Sequence, residues 1–377
     1  MNPGAPCPRP VAPPCHSPVI KLSSNCRSGL SRDREDDILN TTSFPELLAL
    51  EALLKRGRPH LRAEVVTCIN VNGSELPIWC LEAGTTDIRA PAIGFFGGVH
   101  GMERIGTQVL IAYLHTLIER LKWDSNFSRL LENVRLVFMP MVNPGGLMLS
   151  TRSNPDGVDL MRSAPVDAQG SVPLLAGGHR LSRHIPWYRG RVEDDLPPEA
   201  AALFEIVRAR LHPHPFSIAM DCHSGFGFRD RIWFPYARST EPAPNLPEAF
   251  AVRALFNRTY PNHSFYLMEP QSLSYTTHGD LWDFLYDEFQ QRRPGVFLPF
   301  TLEMGSWLWV KKNPRQFFSW FGHFNPILPH RLERVLRRHL TLFDFLIAAT
   351  ASYQEWMPTG MTREAYRREA MKRWFGA

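Results

Sequence analysis

Along this chain, short continuous apolar runs alternate with longer stretches whose apolar residues recur every three or four positions. That is the pattern of buried strands separated by amphipathic helices. Thr42-Ser43-Phe44-Pro45-Glu46 is a helix-start signal, with helix expected to about Leu54. Residues 63–71 and 76–83 read as strands joined at Asn72-Gly73, a dipeptide suited to a tight hairpin. Further strands are expected at 91–96, 134–139, 216–220 and 296–302. Helices are expected at 107–121, 197–211 and 281–289, with one long helix near 329–350. Strands alternating with helices imply an α/β fold with three layers, α/β/α, around a mixed, mostly parallel central sheet. Ligands in such folds gather at the carboxyl ends of the strands. Residues 1–40 stand outside this pattern: rich in Pro, Ser and Arg and without periodicity, they read as a disordered segment.

Composition adds limits. The chain has 377 residues, 44% hydrophobic and 21% charged, as an ordinary globular protein does. Its formal net charge of +5 is concentrated late, with nine Lys/Arg against five Asp/Glu in residues 331–377. That excess reads as a solvated helix face, and nucleic acid is not an expected partner. Cys7, Cys15, Cys26, Cys68, Cys80 and Cys222 form no Cys-x-x-Cys pair and no dense, even spacing. Neither a disulfide framework nor a zinc finger is expected, and a reducing compartment is the default. With no apolar leader and no run near the ~20 residues of a membrane span, the expectation is a cytoplasmic protein without a membrane partner.

Four segments at predicted strand ends or in loops hold chemically capable side chains. His100-Gly101-Met102-Glu103 follows the run at 91–96 and sets an imidazole and a carboxylate three residues apart, a spacing that lets both face one metal ion. His330 and Glu333 repeat the spacing in an Arg-rich amphipathic stretch, where a solvated helix face explains it, so spacing alone decides nothing. His223, in Met220-Asp221-Cys222-His223-Ser224, is a candidate third ligand or a structural histidine. Glu303 closes an apolar strand, where a carboxylate is either exposed or put to use as a proton acceptor. Arg152 and Arg162 flank Gly157-Val158-Asp159-Leu160 in a turn-rich segment. They are either surface arginines or guanidinium groups poised for an oxyanion and a carboxylate.

In order and context, His100-x-x-Glu103, His223-Ser224 and Glu303 resemble the M14 zinc carboxypeptidases. Gly157-Val158-Asp159-Leu160-x-Arg162 is similar to that family's Gly-Val-Asp-Leu-Asn-Arg segment. Residues 275–286, from Tyr275 through His278-Gly279-Asp280 to Trp282 and Tyr286, resemble its mobile-tyrosine loop and following helix. The resemblance covers about 90–305. It implies a zinc carboxypeptidase-like catalytic domain over 41–352 with a helical tail over 353–377. One Zn2+ per chain would be held by His100, Glu103 and His223, with Asp159 fixing the imidazole of His100. Glu303 would act as general base and acid and Arg152 would stabilise the oxyanion. Arg162 and Tyr275 would grip a terminal carboxylate, and Trp282 would read the terminal side chain of a peptide or amino-acid-conjugate substrate. Met161 departs from the family's asparagine and removes one polar partner for that carboxylate; Arg180 and Arg183 are candidates to compensate. Two other functions fit the same metal motif: an N-acyl amino acid deacylase of the aspartoacylase and succinylglutamate desuccinylase type, and a catalytically silent metal- or partner-binding protein. Tyr275 favours the peptidase over the first, Glu303 and Arg152 over the second.

Overall fold

The computed structural model describes residues 44–376 apart from Pro59 and Arg293. The segment 1–40 and the Thr42-Ser43 helix start lie outside the described residues. Among those described, the strands form one eight-stranded sheet: β1 (Arg62–Val71), β2 (Ser74–Gly84), β3 (Ala92–Gly97), β4 (Arg135–Met139), β5 (Phe216–Ser224), β6 (Asp230–Phe234), β7 (Tyr266–Pro270) and β8 (Val296–Met304). Their spatial order is β1-β2-β4-β3-β5-β8-β6-β7. The central strands β4, β3, β5 and β8 run parallel, and β7 runs parallel to β6. Antiparallel pairs join β1 to β2, β2 to β4 and β6 to β8. The sheet is thus mixed and mostly parallel at its centre, as the alternation of apolar runs and helices implies.

β3, β4 and β5 are buried along their whole length, which is why β3, most of β4 and the first part of β5 read as apolar runs. The β1–β2 hairpin turns at Asn72 and Gly73, both at positive φ (50° and 86°). One face of the sheet is covered by α2 (Arg104–Leu121) and α7 (Leu340–Ala351), where Phe95 stacks on Phe138 and meets Phe343. The other face packs α3 (Pro198–Arg210) and α5 (Leu281–Arg292) through Phe96, Phe204, Trp282 and Tyr286. Helix α1 is Pro45–Gly57, α4 Leu246–Thr259, α6 Pro329–Arg338 and α8 Gly360–Ala370. At Gly106 a Cβ would lie 2.2 Å from the Cys222 carbonyl oxygen, so α2 rests directly on β5.

Several boundaries differ from the expectations. β5 continues to Ser224 and β8 to Met304 because the parallel ladder pairs Asp221 with Thr301 and His223 with Glu303, carrying the strands past the apolar residues. The long helix expected near 329–350 is broken at His339, which is buried and hydrogen-bonded through Nδ1 to the Tyr266 hydroxyl (2.9 Å). There an Arg-rich, half-exposed helix gives way to an almost wholly apolar one. β6, β7 and α4 had no clear signal. The tail helix α8 lies on α4 through Arg363 and Glu248 (2.6 Å) and the Tyr366 and Phe250 rings, and Trp374 donates to the Met268 carbonyl. Cys68 is disulfide-bonded, which corrects the expectation of reduced cysteines at that position; Cys80 and Cys222 are free and buried.

Candidate metal centre

The carboxyl ends of β3, β5 and β8 lie side by side, and each delivers part of one cluster. After β3 the chain reverses through Gly98, at φ +64°, and enters α2 with Glu103 as its N-cap. This turn brings His100 and Glu103 together: Glu103 N–H donates to the His100 carbonyl (3.1 Å), and His100 Nδ1 lies 2.9 Å from Glu103 Oε1. On β5, Asp221 and His223 are two residues apart and share one face. His223 Nδ1 lies 3.1 Å from Glu103 Oε2 and 3.2 Å from His100 Nδ1. Ligand atoms of His100, Glu103 and His223 all fall within 4.8 Å of one another, and all three residues are buried. The alternative spacing match, His330 and Glu333, is exposed on α6.

The outer nitrogens of both imidazoles are committed. His100 Nε2 bonds Asp159 Oδ1 (3.0 Å) and His223 Nε2 bonds Asp221 Oδ2 (2.7 Å). Each carboxylate accepts a proton-bearing Nε2, so in its neutral form each ring presents its Nδ1 lone pair to the centre, as metal binding requires. Two such Nδ1 atoms 3.2 Å apart, facing a carboxylate, are held together by a proton or a metal ion shared among them. Charge points the same way: the buried carboxylates Glu103, Asp159 and Asp221 touch the rings, and among the described residues the arginine ion-paired with them is Arg152, through Asp159 Oδ2 (2.8 Å) and Glu103 Oε1 (3.4 Å). An N/N/O donor set with one carboxylate suits zinc with a position left for water. The residues present fit that ion.

Burial pushes the Glu303 carboxyl up to about 8, and the charge of Glu103 adds to the rise against the pull of His223 and Arg152. Its Oε1 accepts from Phe226 N–H (3.0 Å). Burial would also raise Glu103, but His100 and His223 outweigh it and hold that carboxyl well below the usual range; Ser224 N–H donates to its Oε2 (2.9 Å). Asp159 is likewise held low against burial by Arg152 and His100. Two neighbouring carboxyl groups are therefore driven in opposite directions, as acid–base sites require.

His100, Glu103, His223, Arg152, Arg162, Tyr275 and Glu303 all line one cleft of about 740 Å³. Arg162 is buried, with Nη1 on the Met161 carbonyl (3.3 Å), and its side chain bonds Tyr275. Met161 and Arg183 line the same cleft, whereas Arg180 turns away to the Gly190 carbonyl (2.6 Å). Asp159 sits behind His100. Trp282 does not line the cleft, which corrects the expectation that it contacts substrate. It is 3% exposed, packs edge-on against Phe96, and its indole N–H donates to Asp221 Oδ2 (2.9 Å). Asp221 is the residue that sequence reasoning left without a role. The available signal was the Asp-x-His spacing on a strand, which puts both side chains on one face. Thr301, Gln271 and Trp233 also line the cleft and were not anticipated.

Residues 64–307 match the zinc carboxypeptidase family model. Carboxypeptidase SOL1 of Arabidopsis thaliana is 35% identical over 99 residues, 26% of this chain and 20% of that protein. The catalytic chain of carboxypeptidase N from Rattus norvegicus is 25% identical over 174 residues, 42% of this chain and 35% of that one. The matches therefore span a fifth to about a third of these curated relatives. In fold, the chain is similar to thrombin activatable fibrinolysis inhibitor, with a TM-score of 0.60 at 18% identity, covering 84% of this chain and 79% of that one. Carboxypeptidase A of Helicoverpa armigera gives 0.60 at 17% identity, covering 80% and 71%.

Proposed function

The chain belongs to the zinc carboxypeptidase family, and from that premise we propose that it is a zinc-dependent metallocarboxypeptidase that removes residues from peptides bearing a free terminal carboxylate. The observation that carries this reading is the convergence of the His100, Glu103 and His223 ligand atoms in the cleft that also holds Glu303 and two arginines. His100, Glu103 and His223 would hold the ion. When bound, zinc supplies a Lewis acid that polarises a carbonyl and acidifies water.

The protein's own residues do the rest. Asp159 and Asp221 fix the tautomer and orientation of the two imidazoles. Glu303, desolvated and raised towards neutrality, takes a proton from the attacking water and returns it to the leaving amine. Arg152 faces the cleft with its remaining donors and stabilises the oxyanion of the tetrahedral intermediate. Arg162 and Tyr275 grip the terminal carboxylate and so set the last peptide bond in register. Met161 offers that carboxylate no polar side chain, and Arg183, which also lines the cleft, is the candidate substitute.

The test is hydrolysis by the zinc-loaded protein of matched peptides with free and amidated C-termini, with N-acyl amino acids alongside. Stepwise loss of C-terminal residues from the free acids alone is expected. Cleavage of acyl amino acids without peptides would favour the deacylase instead, and equal cleavage of the amides would remove the carboxylate from the mechanism. Glu303→Gln should lower kcat by about 10²–10⁴-fold while zinc content stays at one per chain.

A further inference from the structure

The segment after β8 has a surface unlike the rest of the molecule. Between Glu303 and Glu333 the sequence contains no acidic residue, while Lys311, Lys312, Arg315 and Arg331 contribute four positive charges. The same stretch leaves Phe318 90%, Phe317 61% and Trp320 60% exposed, with Trp307 and Phe228 exposed beside them. Trp307 and Phe228 rings meet at 5.6 Å, and the Lys311 ammonium lies 5.8 Å over Phe228. Among the described residues, no carboxylate pairs with Arg229, Lys311, Lys312 or Arg315. Sequence reading passed over this stretch because neither period, helical nor strand, runs through it.

The rings are held outward by a built scaffold. Gln316 is fully buried, and its Nε2 donates to the carbonyls of Gly322 (2.5 Å) and Asn325 (2.6 Å). Asn325 in turn accepts from Ile105 N–H (2.9 Å) and donates to the Met102 carbonyl (2.8 Å), which ties the loop to the turn bearing His100 and Glu103. Ser224 Oγ donates to the Phe324 carbonyl (2.7 Å). Trp320 and Phe324 form one wall of the cleft, so the aromatic patch and the cleft mouth are continuous.

A contiguous exposed apolar patch marks an interaction surface, and its charge selects the partner. A second copy of the chain would bring the same cations face to face. An anionic bilayer offers what both features need: an apolar interior for the rings, and phosphates for Lys and Arg side chains that extend from the apolar region to the headgroups. We propose that this aromatic and cationic face docks the protein peripherally on an anionic membrane, with the cleft mouth at the lipid surface. No helix of the described residues is long and apolar enough to cross a membrane, and docking of this kind needs none. The proposal does not depend on which bond the cleft hydrolyses.

Flotation of the zinc-loaded full chain with vesicles tests it, using phosphatidylcholine alone and phosphatidylcholine with about one third phosphatidylglycerol. Two double variants are compared with wild type, Phe317→Ser with Phe318→Ser and Lys311→Glu with Lys312→Glu; none of these four residues lines the cleft. Wild type should float with the anionic vesicles and not the neutral ones. Each variant should lose about tenfold or more in binding with its melting temperature and zinc content unchanged. No flotation of wild type, equal flotation of the variants, or a patch-dependent dimer or soluble protein complex in place of vesicle binding would overturn the proposal.

Discussion

Asp221 shows how much a single side chain decides at this site. It hydrogen-bonds the far nitrogen of His223 and accepts from the indole of Trp282, so helix α5, strand β5 and a candidate ligand are joined through one carboxylate. Asp221→Ala should leave the fold in place and lower zinc affinity about 10–100-fold, as loss of such partners does; competition with a chelating dye measures it. Trp282→Phe, which removes one donor to Asp221 and keeps the ring against Phe96, should have a smaller effect of the same sign. Glu303 gives a pH prediction. Without metal it keeps its proton up to about pH 8, because burial and Glu103 disfavour its charged form. Positive charge from a bound cation favours the carboxylate and shifts that value down. The general base must be ionised, so kcat/KM of the zinc-loaded protein should rise with pH along an acid limb lying below 8. A profile that falls as pH rises through this range would contradict Glu303 as the base.

Among elements, the contact of α2 with β5 sets the geometry. Glu103 begins α2 and His223 lies near the end of β5, so the spacing between helix and strand is also the spacing between ligands. Gly106 permits that approach, since any Cβ there would strike the Cys222 carbonyl at 2.2 Å. Gly106→Ala should force the helix outward and cost about 1–3 kcal/mol in stability, with zinc affinity falling in the same variant. Denaturant unfolding and metal titration read the two effects. Helical periodicity made α2 legible, and apolar runs made β3, β4 and the bodies of β5 and β8 legible. What periodicity missed is instructive. Asp221, His223 and Glu303 are polar, yet they lie on strands, because the ladder between β5 and β8 satisfies their backbones, Asp221 pairs with His223, and Glu303 accepts from the Phe226 N–H. Strand β6 and the edge strand β7 carry Asp230, Arg231, Tyr266 and Glu269, too mixed in polarity for a two-residue alternation to stand out.

Across the whole molecule, the candidate metal centre lies where three parallel strands end, so an ion held there would be linked to global stability. Zinc at a hundredfold excess over its Kd should add about 2.7 kcal/mol, seen as a rise of several degrees in melting temperature that chelation reverses. His100→Ala and His223→Ala should abolish that rise, and a zinc effect surviving in both would place the ion elsewhere.

The amino-acid sequence by itself determined the α/β alternation, the ordered set of metal and acid–base candidates, and the loss of a polar group at Met161. Those are local properties: periodicity, spacing and residue type are written in one dimension. Only the tertiary structure decided that His100 and His223 face each other at 3.2 Å across Glu103, and that Asp221 pairs with His223. It also moved Trp282 behind the site, where the indole holds Asp221, and set Phe317, Phe318 and Trp320 outward beside the cleft. Each of these depends on which strands become neighbours and on which side of the sheet a residue falls. Long-range pairing of β3 with β5 and β5 with β8 sets both, and no spacing within a single segment encodes them.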